Sequence, residues 1–498
     1  MKKLLSLLAF AGMLFVVSCT DDDPAPANPP SVTAPAAATV TAGETVELSF
    51  DFTSDAGLSV VPSATATGGT FEITANGAVG DNSGTITGTF TAGSTAGAGS
   101  VVITVTDANA SSDATAVITI NDVATTPVVR VRGNITENTS WTADNIYVLE
   151  TRVTVEPEVT LEIAAGTVIK GERGEGAAAT ALVVARGATL NASGTAALPI
   201  VFTSIEDQLD PADIAAGNYA SPNLPATQVG LWGGLIILGN APISAQNDND
   251  EDVTEVQIEG IPSSDPLGLY GGDNPEDNSG TITYISIRHG GTDLASGNEI
   301  NGLSLGGVGS GTTIQWVEVV ANKDDGIEWF GGNVDVSGVL VWNAGDDGLD
   351  TDQDWIGTCS NFLVVTPTGG SAFELDGPEG TLNRGVHTFT NGTVYAGALG
   401  EELVDLDDDT NASMTNIYFY GIESEIIVES FGGDGNGTFE GWEYTLGAGV
   451  SADAVFVDVP AGILTEVAAN ANTVGVTSAA DFGWTFAASS GALGTIGL

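Results

Sequence analysis

Basic residues are the scarcest charged class in this 498-residue sequence. It contains 11 Lys and Arg against 65 Asp and Glu, which gives a formal net charge of −54 at pH 7. A surface this acidic repels phosphate backbones, so the composition excludes nucleic acid as a partner. It favours cations, and it suits a secreted protein in salty water, where screening reduces self-repulsion.

Cysteine and long apolar runs are also scarce. The sequence has 2 Cys, Cys19 and Cys359, and no zinc-binding, nucleotide-binding or nucleophile motif. If Cys19 is lipidated, as argued next, an intramolecular disulfide is excluded and the fold must depend on a large apolar core. Beyond the N-terminal region no apolar run approaches the 18 residues of a membrane-spanning helix.

The N-terminal region predicts a lipoprotein. Lys2 and Lys3 precede an apolar run from Leu4 to Val17, which is typical of a signal peptide, here residues 1–18. The run ends in Val-Val-Ser-Cys, which resembles the bacterial lipobox and implies lipidation of Cys19 and a stable membrane anchor.

An acidic and proline-rich linker is predicted to follow over residues 19–38. Its first residues, Thr20 to Asp23, resemble the surface-export signal of lipoproteins from Bacteroidota, although a solvated spacer is the alternative. We therefore expect a lipid-anchored protein of the outer membrane that faces the cell exterior.

Glycine is abundant, at 66 residues, which favours a turn-rich β protein. Over residues 39–124 apolar and polar residues alternate, as at Val46, Leu48, Phe50 and Phe52, which predicts a β-sandwich. This pattern resembles bacterial Ig-like modules, but it lacks their cysteine pair.

Residues 128–498 show a repeat that is typical of a parallel β-helix. Residues 319–328 and 341–350 nearly superimpose at an offset of 22 residues, about one rung. We expect one continuous right-handed parallel β-helix from about residue 128 to 480. Its strands near residues 285, 317, 339 and 363 should stack in register. Two strands are expected per rung, with an Asp-Gly or Gly-Gly corner between them.

Several stretches resemble the parallel β-helix lipoproteins of Bacteroidota, many of which have no established activity. The stretches are residues 231–240, 329–332, 344–347 and 373–380, within a similarity that covers about residues 128–430. More remotely, the layout is similar to that of pectin-degrading β-helix enzymes. The fold class implied is all-β, a right-handed parallel β-helix of the pectin-lyase-like kind preceded by an Ig-like sandwich.

Aligned rungs place four acidic residues, Glu328, Asp350, Glu374 and Asp405, in one column. Stacked strands lie about 4.8 Å apart. Two charges about 5 Å apart repel by roughly 3 kcal/mol at an effective dielectric constant near 20, so protons, a cation or solvent must relieve the repulsion. Calcium is the expected cofactor, because it takes six to eight oxygen ligands. The alternative is a solvated acidic face, or corner Asp residues that cap turns.

Alternating Asp triplets give further candidate calcium ligands, because alternate carboxylates of a loop can surround one ion. The triplets are Asp248/Asp250/Asp252, Asp350/Asp352/Asp354 and Asp405/Asp407/Asp409. The first triplet has Glu259 at the twelfth position of an EF-hand-like loop, but Val253 replaces the glycine of the sixth.

Weak catalytic candidates follow from a second resemblance. Asp324 and the pair Asp346/Asp347 are similar in spacing to the carboxylates of polygalacturonase-type hydrolases. The histidine of those enzymes is missing from the next rung, and His387 lies further on. Arg384 is a candidate for the base that pectate lyases use.

Trp329, Trp342 and Trp355 lie beside the acidic corners and could stack on sugar rings, although a β-helix also buries aromatic ladders. The sequence thus favours a non-catalytic, calcium-loaded surface lipoprotein that binds glycan or a partner protein. The alternatives are a polysaccharide lyase or glycoside hydrolase, and a structural or adhesive cell-surface element.

Overall fold

The computed structural model describes residues 28–498, apart from 123–125, 248, 260, 263, 294–298, 366–368, 398–399, 408, 430, 432–436 and 477–478. The chain divides into two compact units, Met1–Thr125 and Thr126–Leu498. The predicted signal peptide and Cys19 lie outside the described residues. Among those described, no helix combines the length and apolar character needed to cross a membrane.

The first unit is built from two sheets around one apolar core. The sheets have the strand orders β1-β3-β6-β5 and β2-β8-β7-β4. Alternation places Phe50, Phe90 and Ile103 in the core with no exposed surface. The strands are β1 (Ser31–Thr33), β2 (Ala38–Thr41), β3 (Thr45–Thr53), β4 (Ser63–Thr67), β5 (Gly69–Ala75), β6 (Ser83–Ala92), β7 (Gly97–Thr106) and β8 (Ser111–Asn121).

The predicted boundary of this unit needs one correction. Residues 19–38 were expected to be a linker, but β1 pairs antiparallel with β3, from Ser31 opposite Thr53 to Thr33 opposite Asp51. Val32 of β1 lies against the core of the sandwich. The strand β1 therefore belongs to the first unit and not to a linker. The two-sheet architecture agrees with the alternating pattern, and the Ig-like assignment stays a prediction.

The second unit consists mainly of short strands. They are β9 (Val128–Val131), β10 (Thr139–Trp141), β11 (Ile146–Leu149), β12 (Arg152–Val155), β13 (Thr160–Ala164), β14 (Val168–Gly171), β15 (Ala181–Val184), β16 (Thr189–Ser193), β17 (Ile200–Ser204), β18 (Leu235–Leu238), β19 (Ala245–Gln246), β20 (Asp252–Val253), β21 (Val256–Gln257), β22 (Leu269–Tyr270), β23 (Gly280–Arg288), β24 (Leu303–Gly306), β25 (Thr313–Val320), β26 (Ile327–Phe330), β27 (Val336–Trp342), β28 (Leu349–Asp352), β29 (Thr358–Val365), β30 (Phe373–Leu375), β31 (His387–Tyr395), β32 (Asp405–Leu406), β33 (Ala412–Ile422), β34 (Phe439–Glu440), β35 (Trp442–Leu446) and β36 (Leu464–Glu466). The short helices are α1 (Pro211–Ala215), α2 (Ala452–Val455), α3 (Phe486–Ser489) and α4 (Ala492–Thr495), with 3-10 turns at Gly176–Ala178, Pro266–Gly268 and Ala479–Phe482.

Parallel pairing between successive rungs makes this unit a parallel β-helix. One sheet, here called the acidic sheet, has the order β12-β15-β18-β24-β26-β28-β30-β32. A longer sheet runs from β36 to β9, with β10, β13, β16 and β34 beside its path. The fold class predicted from the repeat is confirmed.

The predicted register is also confirmed. Ile285 pairs with Val317, Val317 with Val339 and Val339 with Phe362. Side chains alternate between the two faces of a strand, so a shared register keeps each apolar set in the interior of every rung.

The expected two strands per rung are present in the repeat region, as β25 with β26 and β27 with β28, and an Asp-Gly corner lies between the two strands of each pair. The strand of the long sheet is, in addition, bent. The separate strands β16 and β17 both pair with β23, which is bent between its two halves. The bend occurs where one residue adopts a left-handed conformation, with φ of 50° at Tyr284, 58° at Trp316 and 71° at Gly338. The same corner recurs at Asn361, Asn391 and Asn416. Each such rung therefore has three strand segments, two of them joined by one corner residue.

The acidic sheet changes character along its outer face. In its first strands the outward residues are apolar, such as Val183 and Ile236, and they form one buried cluster with Ile243, Ile258 and Tyr270 of the insertion between β18 and β23. From β26 onward acidic residues appear on this face, beginning with Glu328, although Phe330 of β26 still belongs to the apolar cluster. The apolar contact between the insertion and the acidic sheet therefore borders the acidic residues of the later strands.

Candidate metal centre

The carboxylate column predicted from the sequence is in register. Glu328 pairs with Asp350, Asp350 with Glu374 and Glu374 with Asp405 on adjacent parallel strands of the acidic sheet. These residues face outward, because Ile327 and Leu349 beside them are buried in the interior core. We call this outer surface the acidic cleft.

A second acidic column runs beside the first. Asp352, Asp376 and Asp407 each follow a member of the first column by two residues, so they extend from the same face of the sheet. Exposure rises along the cleft. Glu328 and Asp350 are each 8% exposed, whereas Asp405 is half-buried and Asp407 is exposed.

Asp325 is the central residue that the sequence analysis missed. Its carboxylate lies with those of Glu328 and Asp350 in a buried group whose ligand oxygens are all within 4.8 Å of one another. It also belongs to a second group of the same compactness with Asp324, which is half-buried, and Asp346, which is exposed. We call these the inner and outer groups.

A buried amide points into the inner group. Asn301 has no exposed surface, and its Nδ2 donates to Oε2 of Glu328. Its Oδ1 is buried and has no hydrogen-bond partner among the described residues. A buried polar atom without a partner costs free energy, and an amide oxygen is a ligand that hard cations prefer.

Burial raises the pKa values of the inner group far above the ordinary range. The pKa of Asp325 is raised by burial and by the charges of Asp324 and Asp347. Burial also raises the pKa values of Glu328 and Asp350, and neighbouring carboxylates raise them further. The pKa of Asp324 is raised to about 7 by burial and by charges that include that of Glu259. Without a cation, these carboxyl groups therefore ionise less readily than an ordinary Asp or Glu.

One proton-sharing pair lies further along the cleft. The carboxyl groups of Asp347 and Glu374 are hydrogen bonded to each other, and burial with this bond raises the pKa of Glu374 to about 9. Asp347 also accepts from the Ser371 N–H at 2.5 Å. Burial and the charges of Asp407, Asp405 and Asp409 raise the pKa of Asp376 to about 7. Asp407 and Asp409 therefore lie around Asp376.

Among the described residues, the members of a predicted triplet do not come together as one compact group. Asp354 is directed to Arg384, whose Nε donates to Asp354 Oδ2 at 3.0 Å. The carboxylate of Asp252 accepts from Thr381, and Asp250 is an exposed loop residue with a φ of 59°. Asp248 lies outside the described residues.

Two of the predicted catalytic residues are not available for chemistry in the cleft. Arg384 is hydrogen bonded to Asp354, and His387 is buried. Arg384 also donates to the Gly332 carbonyl at 3.1 Å, which fixes its guanidinium group. His387 is stacked on Trp355 with ring centroids 5.6 Å apart, and burial lowers its pKa to about 3. It is neutral at pH 7 and does not reach the cleft, because it lies against the core rings.

The predicted sugar platform was wrong for two of its three tryptophans. Trp329 and Trp355 are 0% and 1% exposed, and they stack on each other inside the β-helix at 4.6 Å. Trp342 is half-buried and packs against Phe486 of α3. The interior aromatic ladder is the alternative that the structure supports.

The chain matches the model of one protein family, described as a pectate-lyase-like beta helix domain, over residues 133–436. This is more than half of the sequence, so the chain belongs to that family. The same comparisons give no match to a curated protein or to a solved structure.

Proposed function

We propose that this member of the pectate-lyase-like β-helix family binds calcium in its acidic cleft. It uses the cation-loaded face to bind a glycan or a partner protein, without cleaving it. The observation that carries the proposal is the inner group, in which three buried carboxylates converge and the Asn301 amide, whose Oδ1 has no partner among the described residues, donates to one of them. Ionised together without a cation, these carboxylates would repel each other by several kcal/mol.

The residues of the inner group fit the ligand chemistry of calcium. Asp325, Glu328, Asp350 and the Asn301 carbonyl supply oxygen atoms only, and calcium takes six to eight oxygens, some of them from water. The outer group is more open, because Asp346 is exposed. A cation held there keeps positions free for a carboxylate or hydroxyl group of a bound partner.

A polysaccharide lyase or glycoside hydrolase is the second candidate, and the family match favours it. A lyase would need a free base beside the cation. Arg384 is instead bound to Asp354 and Gly332, and Lys323 forms ion pairs with Asp293 and Glu299. Arg288 is fully buried and is paired with Glu318. These contacts support binding over cleavage.

Calcium titration combined with glycan binding tests the proposal. We expect calorimetry to detect calcium binding to the wild type and at least tenfold weaker binding to Asp325→Asn. Immobilised polyuronates should retain the wild type in calcium but not in chelator, with no released product. Glu137→Gln, at an exposed position of the first rungs, is the control for loss of one negative charge.

Each alternative outcome is distinct. Release of shortened or unsaturated products would establish the enzyme in place of the binding module. Calcium binding that is the same in Asp325→Asn and Glu137→Gln would remove the inner group as the site. Equal retention in calcium and in chelator would show that glycan binding does not depend on the cation.

We infer that the protein is anchored by lipid on Cys19 in the outer membrane and faces the exterior. This inference rests on the sequence of residues 1–23 alone. Cys19→Ala should move the protein from the membrane fraction to the soluble fraction, and intact cells should lose surface labelling. A variant that stays in the membrane fraction would contradict the lipid anchor.

A further inference from the structure

A polar groove of about 650 Å³ is lined by residues outside the acidic cleft. Its walls come from two segments: the residues that follow β15, and the insertion between β18 and β23. The side chains that carry the argument are those of Arg186, Asn240, Thr254, Glu255, Asp273 and Asp277. None of them belongs to the inner or the outer group.

Arg186 is held in position at the groove. Its Nη1 donates to Glu255 Oε2 at 2.7 Å and to the Gly271 carbonyl at 2.6 Å. Within the described part of the chain, Nε and Nη2 of Arg186 have no hydrogen-bond acceptor. A guanidinium group fixed by two acceptors loses little conformational entropy when it binds a ligand, and its remaining donors lie in one plane.

Asp277 is a fixed acceptor in the same groove. It is 7% exposed, and its carboxylate accepts from the backbone N–H groups of Asn240 and Gly309 and from Ser279 Oγ at 3.3 Å. The positive charge of Arg186 acts on it across the groove. A carboxylate with several internal donors keeps one geometry, so it is an oriented acceptor for a hydroxyl group.

A glycine allows the Asn240 amide to lie close to the groove backbone. A Cβ atom on Gly272 would lie 1.9 Å from Asn240 Oδ1, so a larger residue would displace the amide. The groove therefore presents a planar guanidinium, a planar amide and a carboxylate, each supported by the backbone around it.

These groups define the chemistry of the ligand. The lining carries both donors and acceptors, which matches a molecule that carries many hydroxyl groups. Three carboxylates face one guanidinium, so an acidic sugar would be repelled. The volume falls in the range of small-molecule sites. We propose that this groove binds a neutral oligosaccharide, directly and without calcium.

The test uses the full-length protein in chelator with maltotriose, cellotriose and mannotriose as probes. Saturation-transfer NMR should detect binding of at least one trisaccharide, and titration calorimetry should give its Kd. We expect Arg186→Gln and Asp277→Asn to weaken that Kd at least tenfold. Arg130→Gln is the matched control, because Arg130 also pairs with glutamates but is far more exposed.

Three results would overturn the proposal. They are no saturation by any of the three probes, equal affinity in Arg186→Gln and Arg130→Gln, or binding that requires calcium. If Asp277→Asn lowers the melting temperature, Arg186→Gln carries the comparison alone, because its side chain is partly exposed. A negative result for the groove does not contradict calcium binding in the acidic cleft, because that claim is tested separately by Asp325→Asn in calcium.

Discussion

At the scale of single residues, the acidic cleft depends on which side chains alternate outward. Glu328 faces the cleft, so its neighbour Trp329 must face the interior, where it stacks on Trp355. The same alternation was available in the sequence, and it excludes Trp329 from a sugar platform. Asp325 was harder to find, because it precedes β26 and its burial depends on how the corner at Gly326 turns.

The column residues give the first prediction. Replacing Asp350 and Glu374 together with Asn and Gln should abolish the rise in melting temperature that calcium produces in the wild type. Only the folded chain holds these carboxylates together, so calcium at one hundred times its Kd should add about 2.7 kcal/mol to the free energy of unfolding. For a chain of this size the melting temperature should rise by a few degrees per site.

Differential scanning calorimetry in calcium and in chelator measures the effect. In chelator the double variant should melt at or above the wild-type temperature, because the amides remove the free-energy cost of protonating or ionising these carboxyl groups while the side-chain shapes are kept. Equal wild-type melting temperatures in calcium and chelator would refute the linkage. A calcium-dependent rise that survives the double replacement would assign the ion to a site elsewhere in the chain.

At the scale of elements, a buried glutamate of the long sheet binds the first residues of α3, beside the apolar contacts of Phe486. Glu318 of β25 has no exposed surface and accepts from the N–H groups of Phe486 and Ala487, both at 3.0 Å. Arg288 lies 3.8 Å from Glu318 and 5.0 Å from the ring of Phe486. Removing one partner of a buried ion pair leaves the other uncompensated.

This arrangement predicts that Glu318→Gln destabilises the fold by about 3–5 kcal/mol, the usual cost of breaking a buried pair from one side. The loss should be concentrated at residues 479–498, where hydrogen exchange should become faster. Glu137→Gln supplies the control. Unchanged exchange at residues 479–498 in Glu318→Gln would contradict this account of how α3 is held.

The elements also show how far sequence reasoning reached. The 22-residue offset was sufficient to align Glu328 with Asp350, because a slip of one residue would place apolar side chains outside. The left-handed corner at Tyr284 and Trp316 was missed, since these residue types carry no turn signal. The polar groove was not predictable, because Arg186 and Asp277 meet through an insertion that has no repeat.

At the scale of the whole molecule, carboxyl groups whose pKa values are raised by burial make the stability of the fold depend on pH. Folding raises the pKa of Glu374 from 4.5 to about 9 and those of Asp324 and Asp376 from 3.8 to about 7. At pH values between the unfolded and the folded pKa of each group, the folded chain binds more protons than the unfolded chain. The free energy of unfolding therefore falls as the pH rises.

We therefore expect the unfolding free energy in chelator to be higher at pH 5 than at pH 8. Calcium should reduce or reverse the difference, because it binds the ionised carboxylates. Urea denaturation at the two pH values measures this, and Glu374→Gln should show a smaller pH dependence than the wild type. A wild-type protein that is more stable at pH 8 than at pH 5 in chelator would contradict the assignment.

The central claim is that the acidic cleft is a cation site, and an anomalous difference map tests it most directly. Crystals should be grown in calcium and then soaked in terbium, which replaces calcium and scatters anomalously. The account predicts a peak about 2.3–2.6 Å from carboxylate oxygens of Asp325, Glu328 and Asp350, with the Asn301 oxygen among the ligands. Maps with terbium bound elsewhere and no peak in the inner group would contradict it.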